Sequence, residues 1–152
     1  MKSIVFCSSQ RFKEDMEEFI DEYKRWALDK GKNPIIFDPE FEDMSEAFRN
    51  SSEEERMKDE YYKNSVAGRV YVHLFQKVRV ADVCFIYNKD GYIGPNTIGE
   101  LFAAAALGKI IYALEDKTMM GKYPNDLYEE PSARKLIHGI ISDPYELYRK
   151  ML

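Results

Sequence analysis

The sequence has few of the residues that build disulfide frameworks and metal sites. Only 2 of its 152 residues are cysteines and only 2 are histidines. Cys7 and Cys84 lie inside strand-like apolar runs, where free cysteine usually behaves as a small buried side chain. His73 and His138 are far apart, and neither has a carboxylate at ligand spacing. We therefore expect two plain buried thiols, no disulfide framework and no bound metal.

The sequence also lacks long hydrophobic runs and an excess of positive charge. No apolar stretch approaches the about 20 residues that a membrane span needs. The first ten residues, MKSIVFCSSQ, lack the cleavage pattern of a secretion signal. The net charge of −5 and the scattered lysines and arginines argue against a nucleic-acid surface. We expect one cytoplasmic domain over residues 1–152 that needs no membrane and no nucleic acid, and whose partners are small molecules or proteins.

Apolar runs that alternate with helical patterns predict an α/β fold. Five runs have the continuous hydrophobicity of buried parallel strands, and they cover residues 3–7, 34–37, 82–87, 109–114 and 136–141. Helical patterns begin near residues 12, 52, 70, 103 and 144. Residues 38–50 are the least regular part and are a candidate mobile cover over a site. The whole pattern predicts a doubly wound, three-layer α/β/α sandwich around a five-stranded parallel sheet.

Polar residues follow four of the predicted strands. In doubly wound sheets, ligands bind beyond the carboxyl ends of the strands. This rule gathers residues 8–11, Asp38, residues 88–100 and Glu115 around one cleft. Ser8, Ser9 and Arg11 offer hydroxyls and a guanidinium that could hold a phosphate. An ordinary helix cap with an exposed arginine explains the same residues equally well.

Two interpretations of Glu100 are open on the residues alone. Thr97 to Glu100 matches a capping box, in which each side chain bonds the backbone of the other residue. Alternatively, Glu100 follows a loop with Gly91, Gly94 and Gly99, where a ligand could approach the backbone closely. A carboxylate near the positive end of a helix stays ionised and can act as a nucleophile. The glycine spacing matches neither a dinucleotide fingerprint nor a P-loop, which disfavours hydride transfer.

Four segments resemble one known family. They are ADVCFIYN at residues 81–88, GYIG at 91–94, NTIGE at 96–100 and ALGKIIY at 106–112. Together they resemble the nucleoside 2-deoxyribosyltransferases and their relatives, which include 2′-deoxynucleoside 5′-phosphate N-glycosidases. The resemblance implies a flavodoxin-like, Rossmann-like fold, homo-oligomers, a small-molecule nucleoside or nucleotide as partner, and no cofactor. It also implies that Glu100 attacks the anomeric carbon of the sugar.

The sequence departs from this family at the proton donor for the leaving base. The family has a carboxylic acid before the third strand, and counting back from Val78 and Asp82 places Leu74 there. His73 and Asp90 are the candidate replacements, although His73 is also consistent with a packing role. His138 is expected to be structural. The predicted substrate-binding residues are Ser8, Ser9, Arg11, Asn88, Tyr92, Gly94 and Asn96.

Two other functions remain open at this stage. A non-catalytic nucleotide-binding or sensing domain could keep the pocket and lack the acid at residue 74. A lysine-decarboxylase-like phosphoribohydrolase also places a Gly-Thr pair and a glutamate at a helix start, but its paired glycines after a proline are absent here. The sequence leaves open the base, ribose against deoxyribose, nucleoside against nucleotide, and hydrolysis against transfer.

Overall fold

A five-stranded parallel sheet runs through the centre of the molecule. The computed structural model describes residues 1–41 and 45–152. The strands are β1 (Ile4–Cys7), β2 (Ile36–Phe37), β3 (Val83–Ile86), β4 (Ile110–Ala113), β5 (Met119–Lys122), β6 (Asp126–Glu129) and β7 (Gly139–Ile140). The main sheet has the order β2-β1-β3-β4-β7, and all its neighbouring strands are parallel. Strands β5 and β6 form a separate antiparallel hairpin.

Seven helices connect and cover the strands in the described part of the chain. They are α1 (Lys13–Asp29), α2 (Glu46–Asn50), α3 (Glu53–Arg56), α4 (Glu60–His73), α5 (Pro95–Ala106), α6 (Pro131–Lys135) and α7 (Pro144–Lys150). A π-helical turn, Leu74–Val78, extends α4, and its Arg79 N–H donates to the Leu74 carbonyl five residues earlier. Among the described residues, no helix combines the length and apolarity of a membrane span.

The alternation of side chains along β1 and β3 divides the core into two layers. On one face, Phe6 and Phe85 join the buried side of α1, including Phe19 and Tyr23, together with α7. On the other face, the side chains of Val5, Cys7, Cys84 and Ile86 pack with the π-helical turn and with Leu101 and Ala104 of α5. The predicted three-layer α/β/α sandwich is therefore confirmed.

The strand order is that of the flavodoxin-like fold, in which the chain winds outward from β1 in both directions. All five predicted parallel strands are present, although β2 and β7 have only two residues each. The predicted irregular segment 38–50 contains α2 at its end, and its residues 42–44 lie outside the described residues. The hairpin of β5 and β6 was not predicted.

At the amino-terminal edge of the sheet, Ser3 and Asp82 hydrogen-bond each other in both directions. The Ser3 N–H and hydroxyl both donate to Asp82 Oδ2, at 2.9 and 3.0 Å, and the Asp82 N–H donates to Ser3 Oγ. These bonds lower the pKa of Asp82. Asp82 directly precedes β3 and so lies at the end opposite the carboxyl edge.

Candidate functional site

The switch point in strand order lies between β1 and β3. From β1 the chain crosses to β2 on one side, and from β3 it continues to β4 and β7 on the other. A crevice opens beyond the carboxyl ends of two such strands. Cys7 ends β1, Tyr87 and Asn88 follow β3, and α5 begins shortly afterwards at Pro95. The loop that the sequence analysis singled out therefore borders the position where this fold binds ligands.

Glu100 lies in the second turn of α5 and is 7% exposed. The helix begins at Pro95 with Gly94 as N-cap, and no side chain caps it. Thr97 is thus the third residue inside the helix, so the capping-box interpretation of Thr97 and Glu100 is wrong. Proline is favoured at the first helical position because its fixed φ suits the helix and its missing N–H is not needed there.

The carboxylate of Glu100 meets a histidine and a cysteine. Glu100 Oε2 lies 2.9 Å from Nε2 of His73, and the same nitrogen lies 3.4 Å from Cys7 Sγ. All three residues are buried, and one ligand atom of each lies within 4.8 Å of the others. Cys7 is a free, buried thiol, as predicted. The prediction of no ligand cluster is wrong, because Cys7, His73 and Glu100 come together. Cys7 and His73 are 66 positions apart in the sequence, and His73 and Glu100 are 27 positions apart, so no local spacing indicates the cluster.

The π-helical turn begins directly after His73, and the side chains of His73 and Leu74 lie in different environments. The His73 side chain faces Glu100 and is only 5% exposed. Leu74 instead packs against the apolar cluster beneath α5. π-Helical turns are often found at functional sites, because the extra residue changes which side chains face inward. The side chain that reaches Glu100 from this segment is therefore the imidazole of His73.

The thiol of Cys7 is neutral near pH 7. Burial is the largest cause that raises its pKa well above the ordinary value, and the neighbouring Cys84 and Glu100 raise it further. The two sulfur atoms lie 3.7 Å apart, and both cysteines are free. A neutral thiol is a poor nucleophile. Glu100 is therefore the better nucleophile of the cluster.

All the hydrogen-bonding capacity of the Asn88 side chain is taken up by backbone groups. Its amide nitrogen donates to the carbonyls of Glu115 and Lys117, at 3.0 and 2.6 Å. Its amide oxygen accepts from the N–H groups of Leu114 and Glu115, both at 3.0 Å. These four bonds use the full capacity of an amide side chain. The prediction that Asn88 binds substrate is therefore wrong, and the residue joins the loop after β3 to the loop after β4.

Ser8 and Ser9 follow β1, as predicted. The Ser8 hydroxyl donates to the carbonyls of Ser9 and Tyr87, both at 3.1 Å, and so ties the ends of β1 and β3 together. Ser9 precedes a short 3₁₀ turn, Gln10–Phe12, and its side chain makes no capping bond there. The capping interpretation therefore fails for Ser9, whose hydroxyl remains a candidate ligand for a phosphate.

The Arg11 guanidinium packs on two aromatic rings. Its central carbon lies 5.3 Å from the ring centre of Tyr92 and 4.7 Å from that of Tyr123. The two rings pack on each other at 5.2 Å. Tyr123 lies between β5 and β6, in a segment whose helical or strand pattern is too weak to read from the sequence. The sequence analysis therefore missed Tyr123 as a neighbour of Arg11 and Tyr92.

Asp90 is exposed and lies outside the cluster around Glu100. Its carboxylate accepts a hydrogen bond of 2.6 Å from the Tyr123 hydroxyl, and this bond raises the pKa of Tyr123. Asp90 has a φ of 58°, in the left-handed region. It lines a cavity of about 430 Å³ with four neighbours, Gly91, Glu115, Asp116 and Lys117. The structure thus brings His73, and not Asp90, into contact with Glu100.

Gly91 is the glycine of this loop whose small size is required. Its φ is +78°, and a Cβ there would lie 2.8 Å from Cβ of Lys117. Gly94 adopts ordinary backbone angles as the N-cap of α5, and the Tyr92 hydroxyl lies 3.6 Å from the position of its missing Cβ. Asn96 is exposed in the first turn of α5. Tyr92, Gly94 and Asn96 therefore surround the amino end of the helix that carries Glu100.

Comparison with known proteins finds a shared fold at low sequence identity. No family model matches the sequence, and no curated protein matches it. Among solved structures, a conserved protein from Enterococcus faecalis V583 has a TM-score of 0.59 and 13% identity. The alignment covers 99% of this chain and 97% of that chain. This similarity confirms the predicted α/β architecture over the length of the chain.

Two further solved structures align over most of this chain. A CMP N-glycosidase from Clostridium botulinum aligns over 97% of both chains, with 16% identity and a TM-score of 0.45. A 2-deoxyribosyltransferase from Bacillus psychrosaccharolyticus aligns over 96% of this chain and 90% of that chain, with 16% identity and a TM-score of 0.48.

Proposed function

We propose that the chain belongs to the nucleoside 2-deoxyribosyltransferase-like family and cleaves or transfers at the N-glycosidic bond of a nucleoside or nucleoside 5′-monophosphate. One observation carries the proposal. The carboxylate of Glu100 lies at the switch point between β1 and β3, at the start of a helix and against His73. The motif NTIGE that contains it is one of the four segments that resemble the family.

The proposed reaction has two steps through Glu100. The carboxylate attacks the anomeric carbon while the bond from that carbon to the base breaks, and the electron pair leaves with the base. The product is a glycosyl ester of Glu100. Water or a second base then attacks the same carbon and releases the carboxylate. The oxocarbenium-like transition state is stabilised by the nearby negative charge.

His73 has two possible uses in this reaction. Its Nε2 lies 2.9 Å from Glu100 Oε2, close enough for the imidazole to act on the carboxylate that would attack the sugar. The leaving base also needs a proton, and histidine is a suitable donor near neutral pH. Asp90 is the other candidate donor, and its bond to the Tyr123 hydroxyl places it on the rim of the crevice. Comparison of base release by His73→Gln and by Asp90→Asn shows which of the two residues is the proton donor.

The rim of the crevice favours a substrate with an anionic group. Arg11 carries a positive charge over the rings of Tyr92 and Tyr123, and the Ser9 hydroxyl makes no capping bond beside it. A guanidinium and a hydroxyl are suitable ligands for a phosphate. The exposed Asn96 amide is a further polar group at the start of α5. This arrangement supports a nucleoside 5′-monophosphate over an uncharged nucleoside.

The first experiment compares the wild-type protein with Glu100→Gln. Both are incubated with 2′-deoxynucleosides, ribonucleosides and their 5′-monophosphates, with and without an acceptor base, and the products are separated by chromatography. We expect the wild type to release or exchange the base and the variant to be slower by about 1000-fold or more, because an amide cannot form the ester. Intact-mass analysis of quenched wild type should show a glycosyl adduct on the peptide that contains Glu100.

Two controls show whether the lost turnover of Glu100→Gln comes from lost chemistry. The thermal unfolding of Glu100→Gln should stay close to that of the wild type, so that lost turnover reflects lost chemistry. Glu17→Gln should retain turnover, because Glu17 is exposed on α1 and is not part of the reacting pair. Base release by Glu100→Gln at the wild-type rate would refute the proposed nucleophile.

A second candidate function is a non-catalytic nucleotide-binding or sensing domain. It is favoured by Leu74 at the position where the resemblance implies an acid, and by the burial of the Glu100 carboxylate. Under this function, a nucleoside 5′-monophosphate should raise the unfolding temperature without being consumed, since a ligand that binds only the folded state stabilises it. Consumption of the nucleotide would rule this function out.

A further inference from the structure

Three kinds of metal-binding atom converge beneath the start of α5. They are the thiol sulfur of Cys7, Nε2 of His73 and a carboxylate oxygen of Glu100, all within 4.8 Å of one another. Each of these residues is more than nine-tenths buried. Sulfur, imidazole nitrogen and carboxylate oxygen are the three ligand types that zinc uses in proteins. The cluster therefore has the composition of a three-ligand zinc site.

The contacts do not form a catalytic relay. In a Cys-His-acid triad, the nucleophile and the acid bind different nitrogens of the imidazole. Here Cys7 and Glu100 both approach Nε2 of His73, at 3.4 and 2.9 Å. The other nitrogen, Nδ1, has no hydrogen-bond partner in the part of the chain that the structure describes. Cys7 and Glu100 therefore share one nitrogen of the imidazole, which is not the arrangement of a relay.

One carboxylate oxygen of the cluster lacks a hydrogen bond. Glu100 Oε2 lies at ion-pair distance from His73 but accepts no hydrogen bond of good geometry from the described residues. A buried polar atom without such a bond is unfavourable, so its presence calls for a reason. A cation bound between Glu100 Oε2 and Nε2 of His73 would satisfy the oxygen.

We propose that Cys7, His73 and Glu100 bind a Zn²⁺ ion and that this ion inhibits the enzyme by occupying the carboxylate of Glu100. Zinc bonds of about 2.0–2.3 Å in tetrahedral geometry place ligand atoms roughly 3.3–3.6 Å apart. The separation between Cys7 and His73 already has this value, at 3.4 Å. The pair of His73 and Glu100, at 2.9 Å, must open by a few tenths of an ångström.

The charges balance when the ion is bound. Zinc displaces the proton of the Cys7 thiol to solvent, and the resulting thiolate and the Glu100 carboxylate together neutralise the two positive charges. Burial and nearby Glu100 disfavour the thiolate without a cation, because they raise the pKa of Cys7. Three protein ligands leave a fourth position for water, as in zinc sites that are not fully closed.

The inhibition follows from the proposed function, whereas the binding does not depend on it. Zinc takes the lone pair of the carboxylate that would attack the sugar. The ion and the glycosyl ester therefore exclude each other at Glu100. Removal of zinc by a chelator should restore turnover in full.

Cobalt(II) and zinc titrations of the full chain test the binding directly. After treatment with a chelator, we expect one Co²⁺ per chain, with the absorption bands of tetrahedral thiolate ligation, and displacement of Co²⁺ by Zn²⁺. The variants Cys7→Ser, His73→Gln and Glu100→Gln should each weaken binding by about 100-fold or more, since loss of a ligand exceeds the effect of losing an outer partner. Only Cys7→Ser should abolish the thiolate band.

Cys84→Ser is the matched control. Its sulfur lies 3.7 Å from Cys7, on the same face of the sheet, but outside the three-ligand cluster. This variant should bind Co²⁺ with the wild-type affinity and spectrum. If Cys7→Ser fails to fold, the His73 and Glu100 variants provide the test. Absence of Co²⁺ and Zn²⁺ binding at millimolar metal would overturn the proposal, and so would binding that survives all three substitutions.

Failure of this proposal and failure of the proposed function give different results. A protein that turns over nucleotide but binds no zinc contradicts the metal site alone. A protein that binds zinc at the three residues but releases no base from any substrate keeps the site and contradicts the glycosidic reaction. Turnover that persists with zinc bound at full occupancy would overturn the inhibitory role.

Discussion

At the scale of single residues, Asn88 has the clearest structural role. Its side chain makes four backbone hydrogen bonds between the loops that follow β3 and β4. We expect Asn88→Ala to lower the free energy of unfolding by about 2–4 kcal/mol, because it leaves several buried backbone groups without partners. Urea denaturation measures the change. Asn96→Ala, at an exposed position, should stay within about 0.5 kcal/mol of the wild type.

Tyr23 gives a prediction that depends on pH. Its side chain is buried in the core, its hydroxyl has no partner among the described residues, and burial raises its pKa from 10.0 to about 12. Tyr23→Phe should therefore be more stable than the wild type by about 1 kcal/mol at pH 7.

The same substitution should show a larger advantage in alkali. The pKa of Tyr23 is higher in the folded state, so the stability that its neutral form contributes is complete below pH 10 and is lost as the pH rises towards 12. Chemical denaturation of both proteins between pH 8 and 11 measures the difference. A constant difference, or a less stable variant at pH 7, would contradict the burial argument.

The roles of single residues were predicted from the sequence with uneven success. Sequence reasoning singled out Glu100, because the residue follows a strand, a glycine-rich loop and a helix start, and the role of Glu100 as the acid of a cleft stays a prediction. It failed for Asn88, because a polar residue after a strand can bind substrate or backbone with equal ease. It also failed for the cluster of Cys7, His73 and Glu100, because these residues meet only through the packing of β1, α4 and α5.

At the scale of elements, two glycines near Glu100 should respond in opposite directions. Gly91 has a φ of +78° and no room for a Cβ beside Lys117, whereas Gly99 lies inside α5 with nothing within 4 Å of a Cβ. Gly91→Ala should lower stability by about 1–2 kcal/mol or more, because of strain and steric conflict. Gly99→Ala should raise it by roughly 0.5–1 kcal/mol. Thermal or urea unfolding of the pair tests both signs, and equal shifts would show that the loop can relax around residue 91.

The elements themselves were mostly predictable, and their ends were not. The apolar period of residues 12–27 predicts α1, and four-residue apolar runs give β1 and β3, because burial on both faces of a parallel sheet leaves little choice of residue. The helical pattern of α5 is apparent only from about residue 103, with Thr97 as a candidate cap, whereas the helix begins at Pro95. The hairpin of β5 and β6 has mostly exposed or half-buried residues, so it lacks the hydrophobic alternation that reveals a strand.

At the scale of the whole molecule, the architecture followed from the order of the elements. Strands and helices alternate, and right-handed crossovers place helices on both faces of a parallel sheet. The two halves of the core are each built by alternate residues of the same strands. Strand order is a property of the three-dimensional structure, and the resemblance to a family supplied it. The predicted cytoplasmic location stays a prediction.

Self-association is a further prediction for the whole molecule. Tyr71 at the end of α4 and Phe75 in the π-helical turn are exposed, and their ring centres lie 4.7 Å apart. Phe102 in α5 and Leu107 just after it are also exposed. Exposed apolar groups of this kind are typical of protein interfaces. We expect a homo-oligomer in sedimentation-velocity experiments, and we expect Phe102→Asp and Tyr71→Asp to shift it towards monomer.

A control variant separates this surface from general solubility effects. Tyr61 is 77% exposed at the start of α4, and Tyr61→Asp adds the same charge away from α5. It should leave the sedimentation coefficient unchanged. A wild-type protein that remains monomeric across the micromolar range would show that these side chains do not form a stable interface.

The π-helical turn after His73 sets the direction of the side chains that precede it. A π-helical turn uses about one residue more than an α-helical turn. Side chains before Leu74–Val78 are therefore about one residue out of phase with those of an uninterrupted α-helix that ends at the same place. Loss of one residue within this segment would turn a different side chain of α4 towards Glu100 in place of the imidazole of His73.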